Sequence, residues 1–355
     1  MSEISRREFV ASSAVAAMSS LLPVNALAME ENKDHERKIL DAWGHASLPR
    51  FLSADEYIAV LDANHAEGAV VGTAATCPDL LELSRATLKY PDRLRAIGLT
   101  MGKSPAERLN FVAAQLDAGF AGIRLQADLI ANEPQILDLV GKAGRAAYVE
   151  GSDGYRVAAR VLLNFMDRYP EAVACGTHFA GPTDIGIFAR EDLVRQLFRH
   201  PRFFVIFSRQ GYMDPLILKP WTLALIEETG WKRVLYGSEY PVALWRDETF
   251  KSTQGWIDTV GLTPTAEERS RFLYENARQL FFEKRLPTHQ LDSQWERRDL
   301  RTEAPVWLFQ KKGIDLPEES HRKILKAYFA AGGDAKLGSY RDFVTRLCTE
   351  MAEKL

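Results

Sequence analysis

Eight strand-length apolar runs, each followed by a stretch with helical periodicity, constrain this chain more than any other feature of its sequence. The runs cover residues 39–43, 69–74, 94–100, 121–125, 146–150, 172–177, 203–208 and 234–238. They lack clean apolar–polar alternation, the pattern of strands covered on both faces in a parallel sheet. The intervals between them carry helix signals. Ser53 with Glu56, Ser104 with Glu107 and Thr265 with Glu268 have capping-box spacing, and Pro105 stands at a first helical position. Gly119 and Gly230 fall where helices end on glycine. Lys219-Pro220-Trp221 marks a helix start after the seventh run. Repeated strand–helix alternation predicts an α/β fold, a parallel sheet closed as a (β/α)8 TIM-type barrel. The span 38–285 matches the roughly 250 residues such a barrel takes. An open doubly wound sheet lacks support, because no Gly-rich phosphate loop follows the first run.

The ends of the chain differ from this middle. Ser5-Arg6-Arg7-Glu8-Phe9 precedes an uncharged stretch over 10–22, and Ala26-Leu27-Ala28 supplies a small-x-small cleavage site. That order of regions predicts a secretory signal of twin-arginine type over 1–28, and with it a periplasmic or secreted protein handled by the twin-arginine export machinery. The apolar stretch is shorter than the roughly 20 residues of a membrane span, so no stable membrane anchor is expected. The barrel is assigned to 29–286. Past it, 318–331 and 340–354 read as amphipathic helices around Gly332-Gly333-Asp334, a helical C-terminal extension over 287–355. It serves packing or homodimer formation in one reading and covers the barrel mouth in another.

The balance of 45 Lys and Arg against 48 Asp and Glu gives a net charge of −3. A polyanion-binding surface is not implied, and nucleic acid is not an expected partner. Cys77, Cys175 and Cys348 are far apart, without the paired spacing of a zinc or redox site, and read as buried apolar residues.

In a barrel of this kind, reactive side chains come from the C-terminal ends of the strands. Those ends present Trp43 and His45, Arg124, Glu150, His178, Ser208-Arg209 and Glu239-Tyr240. Trp43 and His45 are two apart and face the same way. No G-x-S-x-G elbow is present, and no Ser/His/Asp order marks a nucleophilic triad. His65 and His200 read as solvent or cap residues.

Four stretches, in order, carry a family resemblance. Tyr90-Pro91-Asp92-Arg93, Gly119-Phe120-Ala121-Gly122-Ile123-Arg124-Leu125, Gly237-Ser238-Glu239-Tyr240-Pro241 and Asn276-Ala277-Arg278-Gln279-Leu280-Phe281 resemble the amidohydrolase-related barrel hydrolases and decarboxylases, the branch that includes carbohydrate and pyrone lactonases. The resemblance covers most of 38–285 and leaves 288–355 uncovered. It implies a metal set of His-x-His after strand one, a His after strand five, another after strand six and an Asp after strand eight. Trp43, Glu150 and Glu239 depart from that set, and only His45 and His178 match it. Indole has only a donor N–H and cannot coordinate. His45, Glu150, His178 and Glu239 nevertheless form a candidate two-imidazole, two-carboxylate site for one divalent metal, whether zinc, manganese or iron.

The alternative set of roles needs no metal. Glu239, its pKa raised by burial, acts as general base on water, with His178 as electrophilic partner and His45 as a second donor to an oxyanion. Arg124 and Arg209 are candidate clamps for a substrate carboxylate or members of structural ion pairs. Trp43, Tyr148, Tyr240 and Trp245 are candidate pocket walls. The expectation is an exported hydrolase cleaving a small-molecule ester, lactone or amide by activated water, with or without metal. A non-oxidative decarboxylase of small aromatic or unsaturated acids is a second reading. A barrel that has lost catalysis and binds a small molecule or a protein is a third.

Overall fold

The computed structural model describes residues 38–47, 51–73, 80–246 and 248–292, with short pieces at 330–333, 336 and 346. The signal segment 1–28, Cys77, Cys348 and nearly all of the C-terminal extension lie outside the described residues.

The eight expected strands all form: β1 Ile39–His45, β2 Ala66–Gly72, β3 Leu94–Leu99, β4 Gly122–Gln126, β5 Ala146–Glu150, β6 Val173–Gly176, β7 Phe203–Phe207 and β8 Val234–Tyr236. They pair in parallel, in chain order, from β1 to β8. Backbone bonds just past β8 link it to β1: Glu239 N donates to Trp43 O and His45 N to Tyr240 O, both at 2.8 Å. The result is a nearly closed (β/α)8 barrel. The major helices between strands are α1 Ala54–Ala63, α2 Leu80–Lys89, α3 Pro105–Asp117, α4 Gln135–Lys142, α5 Ala159–Arg168, α6 Asp192–Arg199 and α7 Pro215–Thr229, and α8 Phe250–Thr259 follows β8.

Local signals act largely as the sequence suggests. The Ser53–Glu56 and Thr265–Glu268 capping boxes are complete. Ser104 caps α3, but Glu107 reaches one residue further back, to Lys103 N at 2.6 Å. One expectation is corrected: α7 begins at Pro215 behind an Asp214 cap, and Pro220 sits inside it. Asp214 offers a carboxylate to the first N–H groups, which Lys219 cannot do.

Strand alternation sorts the core into two layers. Leu40, Val70, Ile97, Ala121, Ala146, Tyr148, Cys175, Ile206 and Leu235 fill the barrel interior. Ile39, Val71, Ile123, Val149, Val205 and Val234 pack outward against the helices. Cys175 behaves as the apolar filler expected of it, and burial pushes its thiol well above the usual range.

In β1 the register against β2 slips between Asp41 and Gly44. The slip lets both Ala42 and Trp43 face inward, and it re-aims His45 into the barrel mouth. Asp41 faces outward into a fully buried network. Its Oδ1 accepts from Trp43 N at 3.0 Å and Ser238 N at 2.8 Å, and its Oδ2 accepts from Tyr57 Oη at 2.8 Å and Ser238 Oγ at 2.5 Å. One carboxylate on β1 thus ties α1 and the segment after β8 to the rim that carries His45 and Glu239.

Candidate active site

The C-terminal ends of β1, β4, β5, β6 and β8 bring five predicted residues into one connected line. His45 Nε2 lies 3.2 Å from Glu239 Oε1, and Glu239 Oε2 lies 3.5 Å from His178 Nδ1. His178 Nε2 is 3.1 Å from Glu150 Oε1, which is 2.6 Å from a terminal nitrogen of Arg124. Proton-carrying groups and carboxylates therefore alternate: His45, Glu239, His178, Glu150, Arg124. Exposure rises along the line, from 5% and 4% for the His45 and Glu239 side chains to 18% for Arg124. The inner end sits under Phe51, whose ring stacks on His45 at 4.9 Å, and the outer end meets solvent.

The backbone at these strand ends is turned sharply. His178, Arg209 and Glu239 have φ of +52°, +66° and +56°. Non-glycine residues enter that region at a cost of about 1–3 kcal/mol each, sustained only where surrounding contacts over-determine them. Here Glu239 N is held by Trp43 O, and the carbonyl of Phe179, beside His178, accepts from Trp221 Nε1 at 2.7 Å.

Electrostatics overturn one sequence expectation. Burial pushes Glu239 upward, but the positive charges available on His178, His45 and Arg209 pull it further down, to about 2. The inference from burial alone had the wrong sign, because it ignored two imidazoles on the two carboxylate oxygens. Glu150 behaves likewise: burial opposes ionisation, and His178 and Arg124 outweigh it, so its pKa falls well below the ordinary carboxylate range.

The remaining predicted residues separate. Trp43 is fully buried in the barrel interior, packed on Tyr148 at 5.3 Å, with the Arg124 guanidinium 5.7 Å from its ring. It is a floor beneath the line, not the wall of an open pocket. Tyr148 is its packing partner and donates to Ala42 O. Arg209 stands over the Tyr212 ring at 4.9 Å, close enough to act on Glu239. Tyr240 does not join the site. Alternation sends Leu235 and Glu239 inward and Tyr236, Ser238 and Tyr240 outward, where Tyr240 packs near Phe250 and lines a cavity of about 280 Å³ against α1. The Trp245 side chain lies outside the described residues. His65 is exposed and His200 pairs with Asp167 at 3.3 Å, as their positions suggested.

Sequence reasoning gave no role to three residues, of which it had named Ser208 only as a strand end. Ser208 Oγ is 3.0 Å from His178 Nδ1, Asp41 holds the rim together, and Glu248 accepts from Gly211 N at 3.1 Å behind Arg209. Burial pushes Glu248 up to about 7 against the Gly211 N–H and Gln210 amide, with the Glu239 charge adding to the rise. None had a local signature: each becomes notable only through a partner distant in sequence.

The four residues expected as a metal set meet, but their arrangement does not fit a metal. Ligands surround one centre, whereas these form a line in which each carboxylate lies between two nitrogen-bearing side chains. Both ring nitrogens of His178 are engaged, by Glu150 and Ser208, and Arg124 sits on Glu150. Among the described residues no group of three His, Cys, Asp or Glu side chains is arranged to hold a metal ion.

The chain belongs to the amidohydrolase family: residues 24–282 match the family model described as amidohydrolase. No curated protein matches the sequence. Among solved structures, the chain is similar to a candidate 2-pyrone-4,6-dicarboxylic acid hydrolase from Pseudomonas putida, with 19% identity over 69% of this chain and 98% of that one, at a TM-score of 0.54. It is similar to 2,6-dihydroxybenzoate decarboxylase from Rhizobium, at 16% identity, 69% and 98% coverage and a TM-score of 0.52. An amidohydrolase from Burkholderia multivorans with bound zinc gives 14% identity, 70% and 99% coverage and a TM-score of 0.51. These likenesses establish a shared fold.

Proposed function

We propose that this protein is a hydrolase cleaving a small ester, lactone or amide that carries a carboxylate, using water activated at the His178–Glu239 pair. The observation that carries the reading is the ionised Glu239 carboxylate spanned by two imidazoles, with Glu239 Oε2 and His45 Nδ1 buried and lacking a hydrogen-bond partner among the described residues. Polar atoms held dry and unmatched are where a substrate or its water completes the network.

The roles differ from a simple carboxylate base. A carboxyl held at about 2 is a poor proton acceptor at neutral pH, and an imidazole beside it is a better one. Water oxygen attacks the acyl carbon while its proton passes to His178. Glu239 supplies the negative charge that stabilises the resulting imidazolium. His45 faces the developing oxyanion as a donor. When the C–O or C–N bond breaks, the proton returns from His178 to the leaving atom, so atoms and charge balance. Arg209 and Arg124, at the mouth, supply the positive field that draws an acidic substrate. The carboxylic acids named in two of the similar structures support that substrate class. The paired arginines at Arg6-Arg7 and the Ala26-Leu27-Ala28 site support export.

The test is a panel of lactones, esters and amides bearing carboxylates, together with carboxylated phenols, assayed on wild type, Glu239→Gln and His178→Asn. Hydrolysis is expected, with kcat reduced about 10²- to 10⁴-fold in either variant. Full turnover by Glu239→Gln overturns the assignment. Release of CO2 from the phenols without hydrolysis of any ester or lactone replaces it with decarboxylation.

A further inference from the structure

We infer that Glu248 is a positioning residue for Arg209. By clasping the turn after β7 to the segment after β8, it holds the Arg209 guanidinium at the mouth, where that group selects substrates bearing a carboxylate. The inference rests on the proposed carboxylate-bearing substrate and names the part of the rim that recognises it.

Arg209 leaves β7 in the left-handed region, at φ +66°, and opens the turn Gln210–Tyr212. Tyr212 N donates back to Arg209 O at 3.1 Å, so the turn and the arginine are placed together. Three contacts fasten this turn to the chain after β8. Gly211 N donates to Glu248 Oε2 at 3.1 Å, Tyr212 Oη donates to Val242 O at 3.2 Å, and the Arg246 guanidinium lies 4.3 Å from the Tyr212 ring. Of the three, only the Glu248 bond reaches the backbone of the turn. The receiving segment is itself tied to the rim: Glu248 N donates to Ala243 O at 3.2 Å, and Ala243 N to Glu239 O at 3.0 Å. Tyr212 also packs with Val242 and Phe51, and Phe51 stacks on His45. The clasp therefore sets Arg209 relative to the buried end of the acid–base line.

Arg209 is the cation left to bind an anion. Its guanidinium is half-buried, 4.9 Å from the Tyr212 ring, and among the described residues it donates to no acceptor. Arg124, by contrast, is engaged by Glu150 at 2.6 Å. An arginine side chain has much rotamer freedom to lose on binding, and one already held in place loses less. Glu248 sits flush against the turn: at Gly211 an added Cβ would come within 2.7 Å of Glu248 Oε2 and 3.0 Å of the Arg246 Cβ. Gly211 is exposed, so its N–H turns to water when the carboxylate is removed. The loss then falls on the placement of Arg209 and not on the fold.

The experiment is a double-mutant cycle on full-length protein, read by calorimetric binding of phthalate, with the uncharged benzene-1,2-dimethanol as control. Neither probe can be hydrolysed, so the readout needs no hydrolytic substrate. Glu248→Ala and Arg209→Ala are each expected to weaken phthalate about tenfold, the scale of one lost hydrogen bond to a charged group, and to leave the diol unchanged. Removing a negative charge by itself favours an anion, so weakening in Glu248→Ala reports placement. The double variant is expected to bind phthalate no more weakly than Arg209→Ala alone, because Glu248 acts through Arg209. Glu248→Gln keeps an acceptor for Gly211 N and is expected to bind at least as tightly as wild type. In turnover of a carboxylated ester, Glu248→Ala is expected to raise KM about tenfold with kcat little changed. Additive losses in the double variant, equal weakening of phthalate and diol, a Gln variant as weak as Ala, or no phthalate binding by wild type overturns the inference. Phthalate binding that follows the cycle, with no hydrolysis of any ester, lactone or amide, leaves it standing and overturns only the hydrolase reading.

Discussion

Removing the Asp41 carboxylate tests whether one outward-facing residue holds the active rim in place. In Asp41→Ala four buried donors lose their acceptor: Trp43 N, Ser238 N, Tyr57 Oη and Ser238 Oγ, formerly at 3.0, 2.8, 2.8 and 2.5 Å. Each orphaned buried donor costs about 1–3 kcal/mol. Two terms offset this. The buried carboxyl no longer resists ionisation, since burial raises its pKa against the bonds from Ser238, Tyr57 and Trp43, and the vacated space admits water. The net loss is about 4 kcal/mol, a large part of the roughly 5–15 kcal/mol by which a domain is stable. Asp41→Asn keeps an acceptor for the two backbone N–H groups, and its amide donates to a rotated hydroxyl, so about 1–2 kcal/mol is expected. The pH dependence has a definite sign. A carboxyl with a raised folded pKa adds stability at low pH and loses it as pH rises through that value, so the Asn deficit widens on acidification. Urea titration reads both variants, with a midpoint shift of about 1.5 M for Asp41→Ala at an unchanged slope. An alanine variant within 1 kcal/mol of wild type, or an asparagine variant as damaged as alanine, refutes the reasoning.

Other outcomes follow from the same geometry. Glu239 has the opposite sign: lowered from 4.5 to about 2, it contributes about 3 kcal/mol that is present above pH 4.5 and lost as pH falls towards 2, so stability curves of wild type and Glu239→Gln should converge in acid. Gly44→Ala would drive a Cβ into the Tyr57 hydroxyl and close to Asp41 Oδ2, with an expected loss of about 3 kcal/mol in chemical denaturation. Because the four rim residues form a line and not a ligand sphere, zinc or manganese at tenfold excess should leave the melting temperature within 1 °C, on the order of the smallest shift such scans resolve. A rise of several degrees would show that the line rearranges around an ion.

Much of the rim was legible because strand ends are legible. The runs at 146–150 and 172–177 terminate on or beside Glu150 and His178, and a period of two puts Trp43 with His45. The Glu239 environment was not legible, since its sign depends on His45 and His178, 194 and 61 positions away in the chain. Ser208 and Asp41 carried no motif, and their roles arise from partners 30 and 197 residues distant. Tyr240 shows a different failure. Alternation from Leu235 already points it outward, but its closeness to Glu239 in sequence suggested a shared site.

Periodicity, capping residues and strand count are local or repeating quantities, and they suffice to specify a barrel with its chemistry at one rim. Which carboxylate is acidic, which imidazole is pinned, and whether two histidines and two glutamates surround a point or form a line depend on distances between chain-remote atoms. Coulomb interactions and hydrogen bonds change over a single ångström, and only the closing of the sheet sets separations that fine.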